Sequence, residues 1–383
     1  MELLDDTIVP EHARDLKQEA REFAEAHIDP VAADYYESGE YPHEVLQAGM
    51  DAGLVAQDIA EEYGGKGFDL QQMLALSEEF YRADAGIALT LQLASFGCEI
   101  MEDYGSEEQK ETWLRPVAEN EQISGLAVSE PQTGSDMAGM ETTAEKTENG
   151  YVLNGEKYWV GNAVEADWLT VYAKTADTDD RYSNYSMFVV PTDTPGYEAE
   201  HIPEKMGMRA SKQGHIVFDD CEVPEENLIG TEGGGFYMLA DFFNHGRVVV
   251  GGHSLGLAAA AIEEAWEFVH DRQAFGRNVS EFQAVQHILA DMRMEFEAAR
   301  ALNWRAAEKV ANGEDAGFWA AAAKTKSTET AVDVAERGMQ LHGGRSVLNE
   351  YKISRVYRDA RIPVIYEGAN EIQRNLIYRQ GAL

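Results

Sequence analysis

One carboxylate, Glu367, stands in "VIYEGANEIQR" between an apolar and aromatic approach (Val364, Ile365, Tyr366) and a glycine, Gly368. A carboxylate desolvated in such a setting has a raised pKa and becomes a better base, suited to removing a weakly acidic proton. Gly368 lets a backbone or a ligand come close. A second candidate is Ser254. "GHSLG" (252–256) fits G-x-S-x-G, the nucleophile elbow of serine hydrolases, and a valine run precedes it like a strand. That elbow needs a strand–turn–helix inside alternating βα units, with an acid and then a histidine presented after later strands. Downstream of Ser254 the periodicity is helical, and His270, His287 and His342 lack a strand framework. Gly252 and Gly256 therefore read as close helix–helix packing points, and the hydrolase is a remote alternative.

The elements that must position these residues fall into three stretches. Residues 1–121 read as helices. Ala13, Leu16, Ala20 and Phe23 recur at helical spacing, and Ser106 with Gln109 forms a capping box before another helix. Residues 122–232 read as short strands, with a hairpin expected at Asn154-Gly155 and no helical pattern between strands, which excludes a Rossmann unit. Residues 233–383 return to helix, with Phe282, Val285, Leu289, Met292 and Phe296 on one face. The order α, β, α predicts an α+β protein.

Composition narrows the partners. The 383 residues include 69 acidic and 31 basic ones, a formal net charge of −38. That argues against nucleic acid and against anionic membrane surfaces, both of which need basic patches. Such a body repels itself in dilute buffer, whereas at ~1 M salt the Debye length falls to roughly 3 Å. A protein working in a salt-loaded cytoplasm, that of a halophile, is expected. Cys98 and Cys221 form no disulfide framework and no zinc site, and no metal is expected. The acidic, polar start shows no signal peptide, and the apolar run 248–262 is short for a membrane span.

Five segments extend the picture: "GLAVSEPQTGSDMAG" (125–139), "KYWVGNA" (157–163), "DRQAFGR" (271–277), "QLHGGRS" (340–346) and "YEGANEIQR" (366–374). With these in this order, the whole chain resembles the acyl-CoA dehydrogenase family of flavoproteins. The resemblance implies an N-terminal all-α domain, a middle β-barrel or sandwich, and a C-terminal four-helix bundle, with FAD as cofactor. It implies that Leu126, Val128 and Ser129 run along the isoalloxazine, with Gly134 and Ser135 on phosphate or the CoA arm. Trp159 packs on the flavin. Many relatives carry Thr where this chain has Gly161, so only a backbone N–H is left there. Arg272 and Phe275 resemble residues that reach FAD across a subunit interface, Arg272 on pyrophosphate. Phe282 and Gln283 resemble its adenine and ribityl neighbours. Gln340, Gly343 and Gly344 approach the pyrophosphate, and Ala369 and Glu371 stand where many relatives have Thr and Gln against FAD.

By the same resemblance Glu367 is the catalytic base of an α,β-dehydrogenation that yields a trans-2-enoyl-CoA, with its backbone N–H polarising the thioester carbonyl. Ser135, Phe243, Asn244, Arg247, Tyr366 and Gly368 are substrate-side residues. Relatives that carry the base on a helix before an arginine offer Gly246 here, which is no base. Electrons are expected to leave to an electron-transferring flavoprotein from a homotetramer built as a dimer of dimers. The alternatives are an oxidase using oxygen and a non-catalytic flavin-binding protein. Ala88 and Leu89 occupy the vicinity of an arginine that holds a second carboxylate in decarboxylating relatives, which disfavours a dicarboxyl substrate. Leu91, Leu93, Ser95 and Phe96 read equally as acyl-pocket lining or as core.

Overall fold

The computed structural model describes residue 4, residues 7–314 and residues 316–381. The first helices are α1 (Glu11–Phe23), α2 (Ala32–Ser38), α3 (His43–Asp51), α4 (Leu70–Ala83), α5 (Ala85–Gln92), α6 (Cys98–Tyr104) and α7 (Glu107–Ala118). Ala13, Leu16, Ala20 and Phe23 are buried, as their spacing predicts. Ser106 and Gln109 close the expected capping box on α7, Asp69 and Gln72 do the same for α4, and the Asp84 carboxylate caps α5.

The strands follow: β1 (Ser124–Ala127), β2 (Thr143–Lys146), β3 (Gly150–Gly161), β4 (Trp168–Lys174), β5 (Tyr185–Pro191), β6 (Tyr197–His201), β7 (Gln213–Pro224) and β8 (Leu228–Ile229). They form one sheet in the order β6-β7-β3-β2-β4-β5-β8, with β1 parallel to β4. Alternation sorts the side chains by face. Leu169, Val171, Phe188 and Ile216 pack in the sheet's own core, while Trp168, Tyr172, Tyr185 and Met187 join the helical core. The hairpin expected at Asn154-Gly155 is not there. β3 runs straight through those residues along β7, and the ladder slips between Leu153 and Gly155. The pair is a bulge: Gly155 takes φ 140°, and a Cβ on it would lie 2.7 Å from Thr142 Cα.

The C-terminal part holds α8 (Gly235–Asp271), a two-stranded ribbon of β9 (Gln273–Ala274) and β10 (Arg277–Asn278), then α9 (Gln283–Ala311), α10 (Gly317–His342), α11 (Lys352–Ala360) and α12 (Asn370–Gln380). α10 packs along α8 and α9, α12 along α10, and α4 crosses α8. Gly252 and Gly256 are the points of that crossing. Their missing Cβ atoms would come within 2.5 Å of Leu74 Cδ1 and of the Glu78 carbonyl oxygen. Arg300 Nη2 donates to buried Glu78 Oε2 at 2.8 Å and Trp304 Nε1 donates to Oε1 at 3.0 Å, which fixes α9 to α4. Among the described residues no helix is long and apolar enough to cross a membrane.

Candidate active site

Glu367 lies in the short link between α11 and α12. It adopts φ 53° and Gly368 follows with φ 84°. A left-handed residue other than glycine persists only where its surroundings enforce it. Here three buried side chains do so. Gln373 Nε2 donates to the carbonyls of Glu367 (3.2 Å) and Gly368 (3.0 Å). Lys324 Nζ, from α10, donates to the Gly368 carbonyl and to Asn370 Oδ1, each at 2.9 Å. Asn370 Nδ2 donates in turn to Thr328 Oγ1 at 2.9 Å. Among the described residues nothing accepts from the Glu367 backbone N–H.

The carboxylate faces α8. Its Oε2 is buried and has no hydrogen-bond partner among the described residues. A Cβ at Gly246 would stand 3.1 Å from that oxygen, so the glycine leaves the space before it open. Burial pushes the Glu367 pKa up to about 7, against the pull of the Arg247 and Lys324 cations. Arg247 donates from Nη1 to Asn244 Oδ1 at 2.9 Å and lies over the Phe243 ring, and burial lowers its pKa to about 10. Arg247, Asn244, Tyr104 and Gln380 border a cavity of about 440 Å³. The Tyr366 hydroxyl and His253 Nδ1 are 2.9 Å apart, and the His253 ring stacks on Tyr81. Burial holds the His253 pKa down to about 3, so it is neutral. Ser254 is no elbow: it sits within α8 and its Oγ donates to the Val250 carbonyl at 3.0 Å.

On the sheet side, β1 brings in buried Leu126 and half-buried Val128 and Ser129, and the loop beyond exposes Gly134 and Ser135. This loop is stapled from beneath. Buried Lys157 Nζ donates to the Val128 carbonyl and to Glu130 Oε1, each at 2.9 Å, and the Glu130 carboxylate also accepts from the N–H groups of Glu141 and Thr142. A ladder slip between Tyr158 and Val160, with Trp159 at φ 66°, turns the Trp159 ring out so that it is 60% exposed. Gly161 lies against Leu93, whose Cδ1 would be 2.8 Å from a Cβ there, so the space of the absent threonine is taken by leucine. Leu91 and Ser95 are buried, and half-buried Phe96 meets Phe242 edge-on.

A third group gathers at the far end of α8. Arg272 follows its last residue and, with Gly343 and Gly344 after α10, lines a cavity of about 390 Å³. Phe275 is 95% exposed and touches Phe282 edge-on. Gln340 and Gln283 are exposed nearby in sequence, at the end of α10 and the start of α9. This group is not brought to Glu367. Arg247 and Arg272 are separated by roughly 38 Å of helix. Ala369 precedes α12 and Glu371 is exposed in its first turn. The sequence reading missed Lys324, Asn370, Gln373 and His253. Lys324 had a signal, a lysine directly after the small apolar run "WAAAA" (319–323).

Profiles of the acyl-CoA dehydrogenase N-terminal, middle and C-terminal domains match residues 10–121, 125–221 and 233–382. The chain belongs to the acyl-CoA dehydrogenase family. It is 35% identical over 371 residues to the short-chain specific acyl-CoA dehydrogenase of rat mitochondria, covering 96% of this chain and 90% of that one. The butyryl-CoA dehydrogenase structure from Megasphaera elsdenii superposes with a TM-score of 0.93 at 33% identity, over 100% of both chains. A structure from work on the electron transferring flavoprotein of Acidaminococcus fermentans gives a TM-score of 0.94 at 33% identity, over 98% and 99% of the chains. The protein is thus an enzyme of this FAD-dependent family. Its residues fit the cofactor. Trp159 and Phe275 leave large aromatic faces open, and Cβ atoms on Gly343 and Gly344 would meet nothing within 4 Å, so the backbone there is free for a diphosphate. Among the described residues no acidic side chain pairs with Arg272, which leaves its guanidinium available to such a group.

Proposed function

We propose that this acyl-CoA dehydrogenase oxidises a short-chain acyl-CoA thioester to the trans-2-enoyl-CoA with Glu367 as base. The observation that carries the reading is the buried Glu367 oxygen without a partner, in a left-handed turn, with its pKa pushed up to about 7. Such a carboxylate is ionised for part of the time near neutrality and ready to take the α-proton at an Oε atom. The unengaged Glu367 N–H points to hydrogen bonding with the thioester carbonyl, which would acidify that proton. Arg247 and Asn244 line the approach for the CoA portion, and Phe243 and Tyr366 close on the acyl chain. Gly368 keeps the passage free of a side chain.

Leu126, Val128, Ser129, Trp159 and Gly161 would hold the flavin ring, with Ala369 and Glu371 beside it and Gly134 and Ser135 toward a phosphate. Arg272, Phe275, Phe282, Gln283, Gln340, Gly343 and Gly344 would hold the dinucleotide of a neighbouring subunit, which calls for an oligomer, proposed as the family's homotetramer. Bound FAD supplies the acceptor for the β-hydrogen and its electron pair. A short acyl group is favoured by the whole-length likeness to the rat short-chain specific and M. elsdenii butyryl-CoA dehydrogenases. Electron-transferring flavoprotein is the proposed acceptor, in keeping with the A. fermentans likeness. The domains divide at 121/122 and 232/233.

The test is the visible spectrum of the purified protein in molar KCl, before and after anaerobic addition of butyryl-, octanoyl- and isovaleryl-CoA. A yellow protein bleached by butyryl-CoA is the expected result. A protein that cannot be loaded with FAD, or that none of the three bleaches, would overturn the reading. The charge of −38 adds a second expectation for a saline cytoplasm. The melting temperature should rise as KCl goes from ~0.1 M toward molar levels, because screening relieves self-repulsion. A fall over that range would remove the halophilic reading.

A further inference from the structure

Lys324 is a fully buried cation that the proposed chemistry leaves without a task. Burying an ammonium is costly, and an apolar residue of similar length would pack in an alanine-rich helix at less expense. Its two acceptors are the Gly368 carbonyl and the Asn370 amide, neither of them charged. Among the described residues it forms no salt bridge, so its charge is not spent on a contacting acid. Both acceptors belong to the link that carries Glu367. The charged groups around Lys324 are Glu367, Glu371 and Glu329, with Arg247 opposing them. Those around Glu367 are Arg247 from α8, Lys324 from α10 and Glu99 from α6. Glu99 is pushed up to about 8 by burial and by neighbouring Asp58, and is mostly neutral at pH 7. The two cations are then the charges that set the base.

We infer that Lys324 is a positioning residue for the base: its ammonium ties the Gly368 carbonyl to Asn370, holds the left-handed turn that aims Glu367, and fixes a positive charge near the carboxylate. This rests on the reading of Glu367 as base. Asn370 is the hinge of the arrangement, since its amide holds Lys324 on one side and Thr328 on the other.

The experiment uses FAD-loaded Lys324→Met protein and follows anaerobic bleaching by butyryl-CoA against pH. Loss of the cation should raise the midpoint of the rate profile by about one pH unit and lower the rate at pH 7 at least ~10-fold. FAD content per subunit should stay at the wild-type value, which separates positioning from a general loss of structure. An unmoved midpoint overturns the inference, whatever happens to the melting temperature. If Lys324→Met does not accumulate as folded holoprotein, Lys324→Arg takes its place. A guanidinium keeps the charge but not the fit, so the midpoint should stay within about 0.3 while the rate falls several-fold. A displaced midpoint or a wild-type rate overturns the inference. Glu367→Gln runs alongside. If that variant bleaches normally, the base reading fails and takes this inference with it. If it is inactive and the Lys324→Met midpoint is unmoved, only the inference fails.

Discussion

Glu367→Gln should give a folded, yellow protein whose flavin a thioester bleaches at least ~10²-fold more slowly than in wild type. The amide keeps the size and the backbone contacts of the turn but has no site for the α-proton. In wild type the rate should rise about tenfold per pH unit and level off above roughly 7, because only the ionised carboxylate accepts a proton. The same residue predicts an opposite trend in stability. Its folded pKa, about 7, lies above the unfolded value of 4.5. The stability it contributes is therefore fully present below pH 4.5 and is lost as pH rises through 7. Above that range the ionised carboxylate costs the fold on the order of 3 kcal/mol. Glu367→Gln should thus melt higher than wild type at pH 8, with a gain that shrinks toward pH 5. Near-normal turnover would refute the base, and equal melting at pH 8 would show that the carboxylate is not strained in place.

The second large effect is structural. Lys157→Met should destabilise the protein by about 3–5 kcal/mol, the range for removing one partner of a buried ion pair. The Glu130 carboxylate would keep the N–H groups of Glu141 and Thr142 but lose the charge that makes its burial tolerable. Burial raises the Glu130 pKa, and Lys157 with those N–H groups reverses this and holds it below the usual value. Because Lys157 also holds the Val128 carbonyl, the variant should release FAD on desalting. Urea unfolding measures the loss, and the double variant Lys157→Met, Glu130→Gln should recover part of it by removing the stranded charge. A loss under about 1 kcal/mol would mean that the loop does not depend on the pair.

What the sequence made legible was what is local. The helical faces, the capping box at Ser106 and the change of texture near residues 122 and 232 depend on neighbours within a turn or a strand. The buried setting of the Glu367 carboxylate was legible because a carboxylate between aromatic and glycine neighbours is odd on its own. Asn154-Gly155 misled, because the dipeptide that favours a tight turn also tolerates a bulge, and β7 is long enough to pair on both sides of it. The supports of the site were hidden for a different reason. Lys324 reaches across 44 positions to Gly368, and His253 across 113 to Tyr366. Periodicity assigns such residues to a buried face without saying what stands opposite them. Gly161 shows the same limit: the missing hydroxyl is visible in the sequence, but the leucine that fills its place is 68 positions away and only packing reveals it.

The 37 residues of α8 form one unbroken rod, with Arg247 beside Glu367 and Arg272 just beyond the far end. If Arg272 serves a neighbour's cofactor, as proposed, a rod of that length would tie two reaction centres to one subunit. Where Arg272 serves a neighbour's cofactor, damage at one end silences a chain's own centre, and damage at the other silences the next chain's. Two such lesions carried on different chains would leave some centres intact in a mixed assembly. Carried on the same chain, they would impair that chain's own centre and the centre of the neighbour it serves. On that proposal, the severity of a pair of mutations would be a matter of inheritance as well as chemistry.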